Sequence, residues 1–232
     1  MKNFQRGSLR DRTILGALER LSVLTTEQVR LLFFRGLSQD RLICQRRMKR
    51  LFERGDVKRG RFSANEPYFY YTDKKPKQLE HRLGVNWVYV RENLKWRKIP
   101  DYKLSYPVFE DTYKTMRPDA FFAVKNTFKK KNLFYFVEFD IAERGNEFNK
   151  VQLYNTLYEN NETAGRWWYK YATGFPTVII VTTGRVERIL KHKEAENRHG
   201  LEFQVHNFDD LKGECLHGRN YGNDTQKSVM GR

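Results

Sequence analysis

Five residues in the second half of the chain have the types and spacing that phosphate chemistry needs. The stretch "RPDAFFAVKNTFKKKNLFYFVEFDIAERGNEFNKVQLY" (117–154) holds Asp119 at the mouth of one apolar run, and Glu138 and Asp140 inside a second. Side chains alternate along a strand, so Glu138 and Asp140 share a face. Neither carboxylate is easily buried as an ion without a partner. Their repulsion becomes tolerable if a divalent cation lies between them. Asp119, on the preceding strand of an expected hairpin, supplies a third ligand. Three hard oxygens favour Mg²⁺ or Mn²⁺ over zinc, which usually takes His or Cys. Downstream, Glu147, Lys150, Val151, Tyr154, Leu157 and Tyr158 fall on one side of a helical wheel. An acid and a lysine on an otherwise apolar side are expected to meet something at the sheet. Lys150 is placed to orient an attacking water or to stabilise phosphorane-like charge. Glu147 is placed as an outer-sphere or second metal ligand. The structural alternative is a salt-bridge network of the same acids with Lys150 and the arginines.

The elements that must hold these residues are legible as a pattern. Strands are expected at about 118–125, 132–142, 176–183 and 201–208, with helices at about 146–160 and 184–198. The lysine run Lys129–Lys131 reads as a solvated hairpin turn, and Trp167, Trp168, Tyr169 and Tyr171 as core or interface.

The first half has a different character. Residues 1–100 hold 24 Lys and Arg against 10 Asp and Glu, whereas residues 101–232 hold 20 against 18. Almost all of the net charge of +16 therefore belongs to the N-terminal half, which points to a polyanion partner, nucleic acid first. Ile14, Leu15, Leu18 and Leu21 fall at helical spacing. Thr25 with Gln28 fits a capping box that starts a second helix. A third helix is expected in "GLSQDRLICQRRMKRLFERGDV", with Ser38 as N-cap and Gly55 just beyond its end. Cys44, Met48 and Leu51 share one side of it, and Gln45, Arg46, Lys49 and Arg50 point largely away. "VKRGRFSANEPYFYYT" then reads as strand, turn and strand, carrying Lys58, Arg59 and Arg61. Three helices and a basic hairpin make a winged helix-turn-helix. Its third helix would enter the major groove and its wing would touch the backbone.

The residues around the acids resemble a known superfamily. "RPDAFF", eighteen residues between Asp119 and Glu138, and then "EFD" are similar to the PD-(D/E)xK nucleases. That resemblance implies an α/β restriction-endonuclease-like core. The family lysine two residues after the Glu is Asp140 here; in some members the lysine sits on the neighbouring helix, the place of Lys150. The whole chain also resembles the replication-relaxation family of plasmids and integrative mobile elements. The resemblance rests on "LTTEQVRLLFF", "RRMKRLFERGDV", "RPDAFF", "FVEFD" and "GNEFNKVQLY". It implies a role in replication or transfer-origin processing, with replication or transfer proteins of the same element, and a second copy of the chain, as partners.

The expected organisation is α+β in two domains. Residues 1–75 form the winged helix, 76–108 a connector with a helical middle, 109–212 the nuclease-like domain and 213–232 a disordered tail. The expected function is binding of double-stranded DNA with metal-dependent nicking or cleavage. The competing reading is a non-catalytic replication or transcription factor on a degenerate nuclease fold, and whether Lys150 and Glu147 reach the strand carboxylates separates the two. The five histidines, His81, His192, His199, His206 and His217, make no His-hydrophobe-His triplet, so tyrosine-relaxase chemistry is not expected. Two cysteines make neither a disulfide framework nor a zinc site, and a reducing cytoplasm is expected. No apolar run approaches the roughly 18 residues of a membrane span, and the basic N-terminus has no apolar signal core.

Overall fold

The computed structural model describes residues 3–128, 132–142 and 148–218. Among them the chain is an α+β protein with seven α-helices and two β-sheets. Glu147, Lys129–Lys131 and most of the expected tail, residues 219–232, lie outside the described residues.

The N-terminal part packs α1 (Asn3–Leu21), β1 (Leu24–Thr25), α2 (Thr26–Phe33) and α3 (Asp40–Glu53) against a hairpin of β2 (Lys58–Gly60) and β3 (Phe69–Tyr71). The strand order is β1-β3-β2, antiparallel throughout. α2 starts where the sequence places it. The Thr25 hydroxyl accepts from the Gln28 N–H, and Gln28 Oε1 accepts from the Thr25 N–H at 2.9 Å. α3 does not use the expected Ser38 cap. Its N-cap is Gln39, in left-handed backbone at φ 57° with no side-chain cap bond. Gly55 does close the helix, at φ +79°. The core here is Ile14, Leu18, Leu21, Val29, Met48, Leu51 and Tyr70.

The stretch expected as a connector carries much of the architecture. It contains α4 (Leu79–Trp96) and β4 (Tyr102–Leu104), and its last residue opens β5 (Val108–Phe109). Every residue from Leu83 to Val90 is buried. Several polar members of α4 find partners inside the fold, as buried polar groups usually do. Asn86 Nδ2 donates to the carbonyls of Leu21 at 3.0 Å and Val23 at 2.6 Å. Gln28 Nε2 reaches back to the Leu83 carbonyl at 2.9 Å. Glu92 accepts from Trp96 Nε1 and pairs with Arg91, which also faces Glu214. α4 therefore belongs to the packing of both halves of the chain.

The second sheet runs β4-β6-β7-β8-β9, with β5 also paired to β6. β6 (Ala120–Asn126) and β7 (Leu133–Asp140) are antiparallel; β7, β8 (Thr177–Thr182) and β9 (Phe203–Asn207) are parallel. The connections are α5 (Lys150–Glu159) with a short 3-10 turn at Tyr169–Tyr171, and α6 (Val186–Glu196). α7 (Phe208–His217) follows β9. β6 and β7 are almost continuously apolar because both faces are covered. One face packs Phe122, Tyr135, Val137 and Ile179 with α4 and Leu211 of α7. The other packs Phe134, Phe136, Val178 and Ile180 with Tyr154, Trp168 and Ile189. Trp168 is buried, whereas Trp167, Tyr169 and Tyr171 are exposed. The expected tail begins too early. Residues 213–217 complete α7, which is capped by the Asn207 side chain accepting from the N–H groups of Asp209 and Asp210.

No helix among the described residues is long and apolar enough to cross a membrane. Cys44 and Cys215 are both free and fully buried, and burial pushes each thiol up to about 12. The thiolate is the reactive form. Neither cysteine should react with a disulfide reagent at pH 8 in the folded protein, and both should react in denaturant. A fast-reacting thiol in the native state would contradict this packing.

α4 crosses β7 at contact distance through Gly84. A Cβ there would lie 2.2 Å from the Phe139 ring. That ring is already held edge-on against Phe208 and His81. Gly84→Ala gains about 1 kcal/mol of helix propensity, but overpacking typically costs about 1–3 kcal/mol. Net destabilisation is expected, with a melting midpoint lower by about 2–4 °C per kcal/mol lost. An unchanged or raised midpoint would show that the ring gives way freely.

Candidate functional site

The acids gather at the end of β7, where the hairpin of the N-terminal part comes close. They line a cleft of about 800 Å³ with Asp119, Glu138, Asp140 and Lys150 on one side. Arg61, Phe62, Lys75, Lys77 and His81 line it from the other.

Glu138 is the buried centre, 1% exposed. Its Oε2 lies 2.7 Å from Lys150 Nζ, and its Oε1 accepts from the Tyr154 hydroxyl at 2.8 Å. Burial and then the nearby Asp119 charge push its carboxyl up to about 7, against the pull of Lys150 and Tyr154. Lys150 and Tyr154 are four residues apart, so both face the sheet from the first turns of α5. Burial opposes the charge on Lys150, but the Glu138 carboxylate outweighs it and holds the ammonium above its ordinary value. The lysine thus points into the cleft and not to solvent.

Asp119 stands just before β6. Its Oδ2 accepts from the Phe139 N–H at 2.7 Å and meets His81 Nε2 at 3.1 Å. Burial pushes this carboxyl up. Hydrogen bonds from His81 and Phe139, with the Lys150 charge, more than offset that, so it lies below the usual carboxylate range. In return the Asp119 hydrogen bond raises His81 despite its burial. Both hydrogen bonds of Asp119 among the described residues fall on Oδ2, and the residue lines the cleft.

Asp140 shares the Glu138 face but is engaged sideways. Its Oδ2 accepts from Thr182 at 2.7 Å and from Arg188 at 2.9 Å. The structure therefore brings Asp119, Glu138 and Lys150 together and commits Asp140 partly to β8 and α6. Among the described residues no group of three His, Cys, Asp or Glu stands in metal-binding arrangement. The donor pair best placed for a hard cation is Asp119 and Glu138, two carboxyl groups that line one cleft beside Lys150 and His81.

The basic residues of the first half form a second surface. Gln45, Arg46, Lys49 and Arg50 are all exposed on α3. Lys49 makes a loose pair with Glu53 at 3.6 Å. Lys58 is exposed and donates to the Asp73 carbonyl. Arg59 is half-buried, its guanidinium 4.0 Å from the Phe52 ring centre and 4.2 Å from that of Tyr68, so it joins α3 to the hairpin. Arg61 stacks on Tyr68 at 3.6 Å. A groove of about 520 Å³ between α3 and the hairpin is lined by Gln45, Lys49, Arg59 and Arg61.

His81, Tyr154, Thr182 and Arg188 were not singled out by sequence as site residues. Tyr154 had a usable signal, its place one turn beyond Lys150 on the sheet-facing side. His81 had none, since it lies 38 residues before Asp119 on an element that read as a connector. Comparison of the chain with protein-family models, curated proteins and solved structures gives no match.

Proposed function

We propose that this chain binds duplex DNA through α3 and the β2–β3 hairpin, used as a winged helix, and hydrolyses a phosphodiester in the adjoining cleft with Mg²⁺ or Mn²⁺, on a PD-(D/E)xK-like core. The observation that carries the reading is the inward Lys150, 2.7 Å from buried Glu138 and beside Asp119. A buried carboxylate needs a charge partner in any case; what favours catalysis is that this lysine also lines the open cleft beside Asp119. The basic surface on α3 and the hairpin supports DNA as the substrate. The resemblance to replication-relaxation proteins supports an origin or transfer site of a mobile element as the DNA.

In this reading Asp119 and Glu138 would hold the cation through oxygen. When bound, the ion supplies Lewis-acid stabilisation and a more acidic water. The chain's own residues do the rest. Tyr154 fixes Glu138 through Oε1. His81 and the Phe139 N–H fix Asp119 through Oδ2. Lys150 offers its charge to the phosphate oxygens as negative charge grows on them, in a cleft that strengthens such contacts. Water oxygen bonds to phosphorus, the P–O ester bond breaks, and a proton passes to the departing sugar oxygen.

The second reading, a DNA-binding factor with an idle nuclease core, draws on one observation. Asp140 is tied to Arg188 and Thr182, as in a salt-bridge network. Calorimetric titration with Mn²⁺ separates the two. The enzyme reading expects saturable binding that is lost in Asp119→Asn and in Glu138→Gln. Absence of binding by the parent chain would favour the idle core.

A further inference from the structure

The cleft that holds the acids is walled by the hairpin and by the segment leading into α4, so the two surfaces are one continuous feature. Arg61 lines both the α3–hairpin groove and the acid cleft. Lys75 and Lys77 line the cleft, are exposed and form no ion pair among the described residues. We infer that Arg61, Lys75 and Lys77 hold the phosphodiester backbone of the same DNA that α3 binds and lead one strand onto the Asp119–Glu138–Lys150 floor. The inference rests on the DNA-binding half of the reading above and adds which strand path the cleft takes.

Charge supports that path. Asp119, Glu138 and Asp140 line the floor side and Glu80 also lines the cleft, so a phosphate backbone approaching unaided meets repulsion. The three wall cations line the same cleft, Arg61 lining the α3–hairpin groove as well, and their charge offsets that repulsion. Rigidity fixes the spacing. Lys58 Nζ holds the Asp73 carbonyl at 2.8 Å, which ties the segment to β2. α4 then joins it to the sheet: His81 on the first turn meets Asp119, while Asn86 and the Gln28–Leu83 bond tie the same helix to the N-terminal part. With no free linker between the DNA-holding surface and the floor, the site acts at a set, short distance from the sequence bound, on one strand.

The test is a hydroxyl-radical footprint of the full chain on a duplex recovered by selection from a random-sequence pool, with Ca²⁺ present. Lys75→Glu/Lys77→Glu is compared with the parent. Both positions are exposed, so the fold is not at risk. The parent should protect a central block and an adjoining stretch on one strand. The double variant should lose only that stretch, with the salt dependence of binding shallower by about two counterions. An unchanged footprint and salt slope would overturn the strand path while leaving DNA binding standing. A parent that binds no duplex would overturn the DNA-binding reading and this inference with it. If the parent cleaves in Mn²⁺, the cut should fall inside the adjoining stretch, and a cut outside it would contradict the inference alone.

Discussion

Lys150→Met is expected to lower Mn²⁺-dependent DNA cleavage by about a hundredfold or more, the usual loss when one charge stabiliser is removed. Methionine keeps the apolar stem and removes only the ammonium. Removing one partner of a buried pair generally leaves an uncompensated charge and costs stability. Here the cost has an outlet. Glu138 already lies at about 7 with Lys150 beside it. Without that positive charge its carboxyl moves higher, and it takes up a proton near neutral pH instead of forcing the site open. The variant should therefore fold, bind DNA as the parent does and fail at cleavage. Two measurements check it, a binding isotherm and a single-turnover cleavage rate on the same duplex. Parent-like cleavage would make Lys150 a structural pair for Glu138, with the stabilising charge coming from elsewhere in the cleft. Joint loss of binding and cleavage would mean the variant is misfolded or the lysine holds substrate, and thermal melting tells these apart.

Arg46→Ala/Lys49→Ala/Arg50→Ala is expected to remove most duplex binding. All three side chains are exposed, and the ion pair they make among the described residues is that of Lys49 with exposed Glu53, so the fold should be unaffected. If each contacts a phosphate, the slope of log affinity against log salt falls by about three. A loss of affinity that is uniform across sequences would mean backbone contacts; a loss confined to the preferred site would mean base contacts. Binding equal to the parent's at physiological salt would show that α3 is not the reading helix. The experiment calls for the full chain. Residues 1–75 alone would lose Leu83 and Tyr89 from their packing, together with the Asn86 and Gln28 hydrogen bonds to and from α4.

The sequence was most legible where one local rule decides the structure. The Thr25–Gln28 box, the exposed face of α3, the apolar runs of β6 and β7, and the inward placing of Lys150, Val151, Tyr154 and Leu157 on α5 all follow from capping or periodicity; Tyr158, expected on the same side, is exposed. It was least legible where partners come from far along the chain. α4 reads only as the helical middle of a connector; in the fold the bonds of Asn86, Arg91 and Glu92 go to Leu21, Val23, Trp96 and Glu214. α7 was hidden for a different reason. Its Gly-rich end resembles a tail, yet Asn207 caps it and Leu211 and Cys215 bury it against α4. For the site, the carboxylates and Lys150 were visible as charges in apolar runs. His81 was not, because only the path of α4 brings it to Asp119. The departure of Asp140 toward Thr182 and Arg188 likewise depends on the parallel pairing of β7 with β8, which spacing alone does not show.

The most direct measurement is conversion of a supercoiled plasmid carrying the selected binding site by the 232-residue chain, with Mn²⁺ and with EDTA. The proposal predicts nicked or linear product with Mn²⁺, none with EDTA, none from Glu138→Gln in Mn²⁺, and no covalent protein–DNA adduct. Intact supercoiled plasmid after tight, site-specific binding in Mn²⁺ would contradict it and leave a DNA-binding factor with an idle acid cluster.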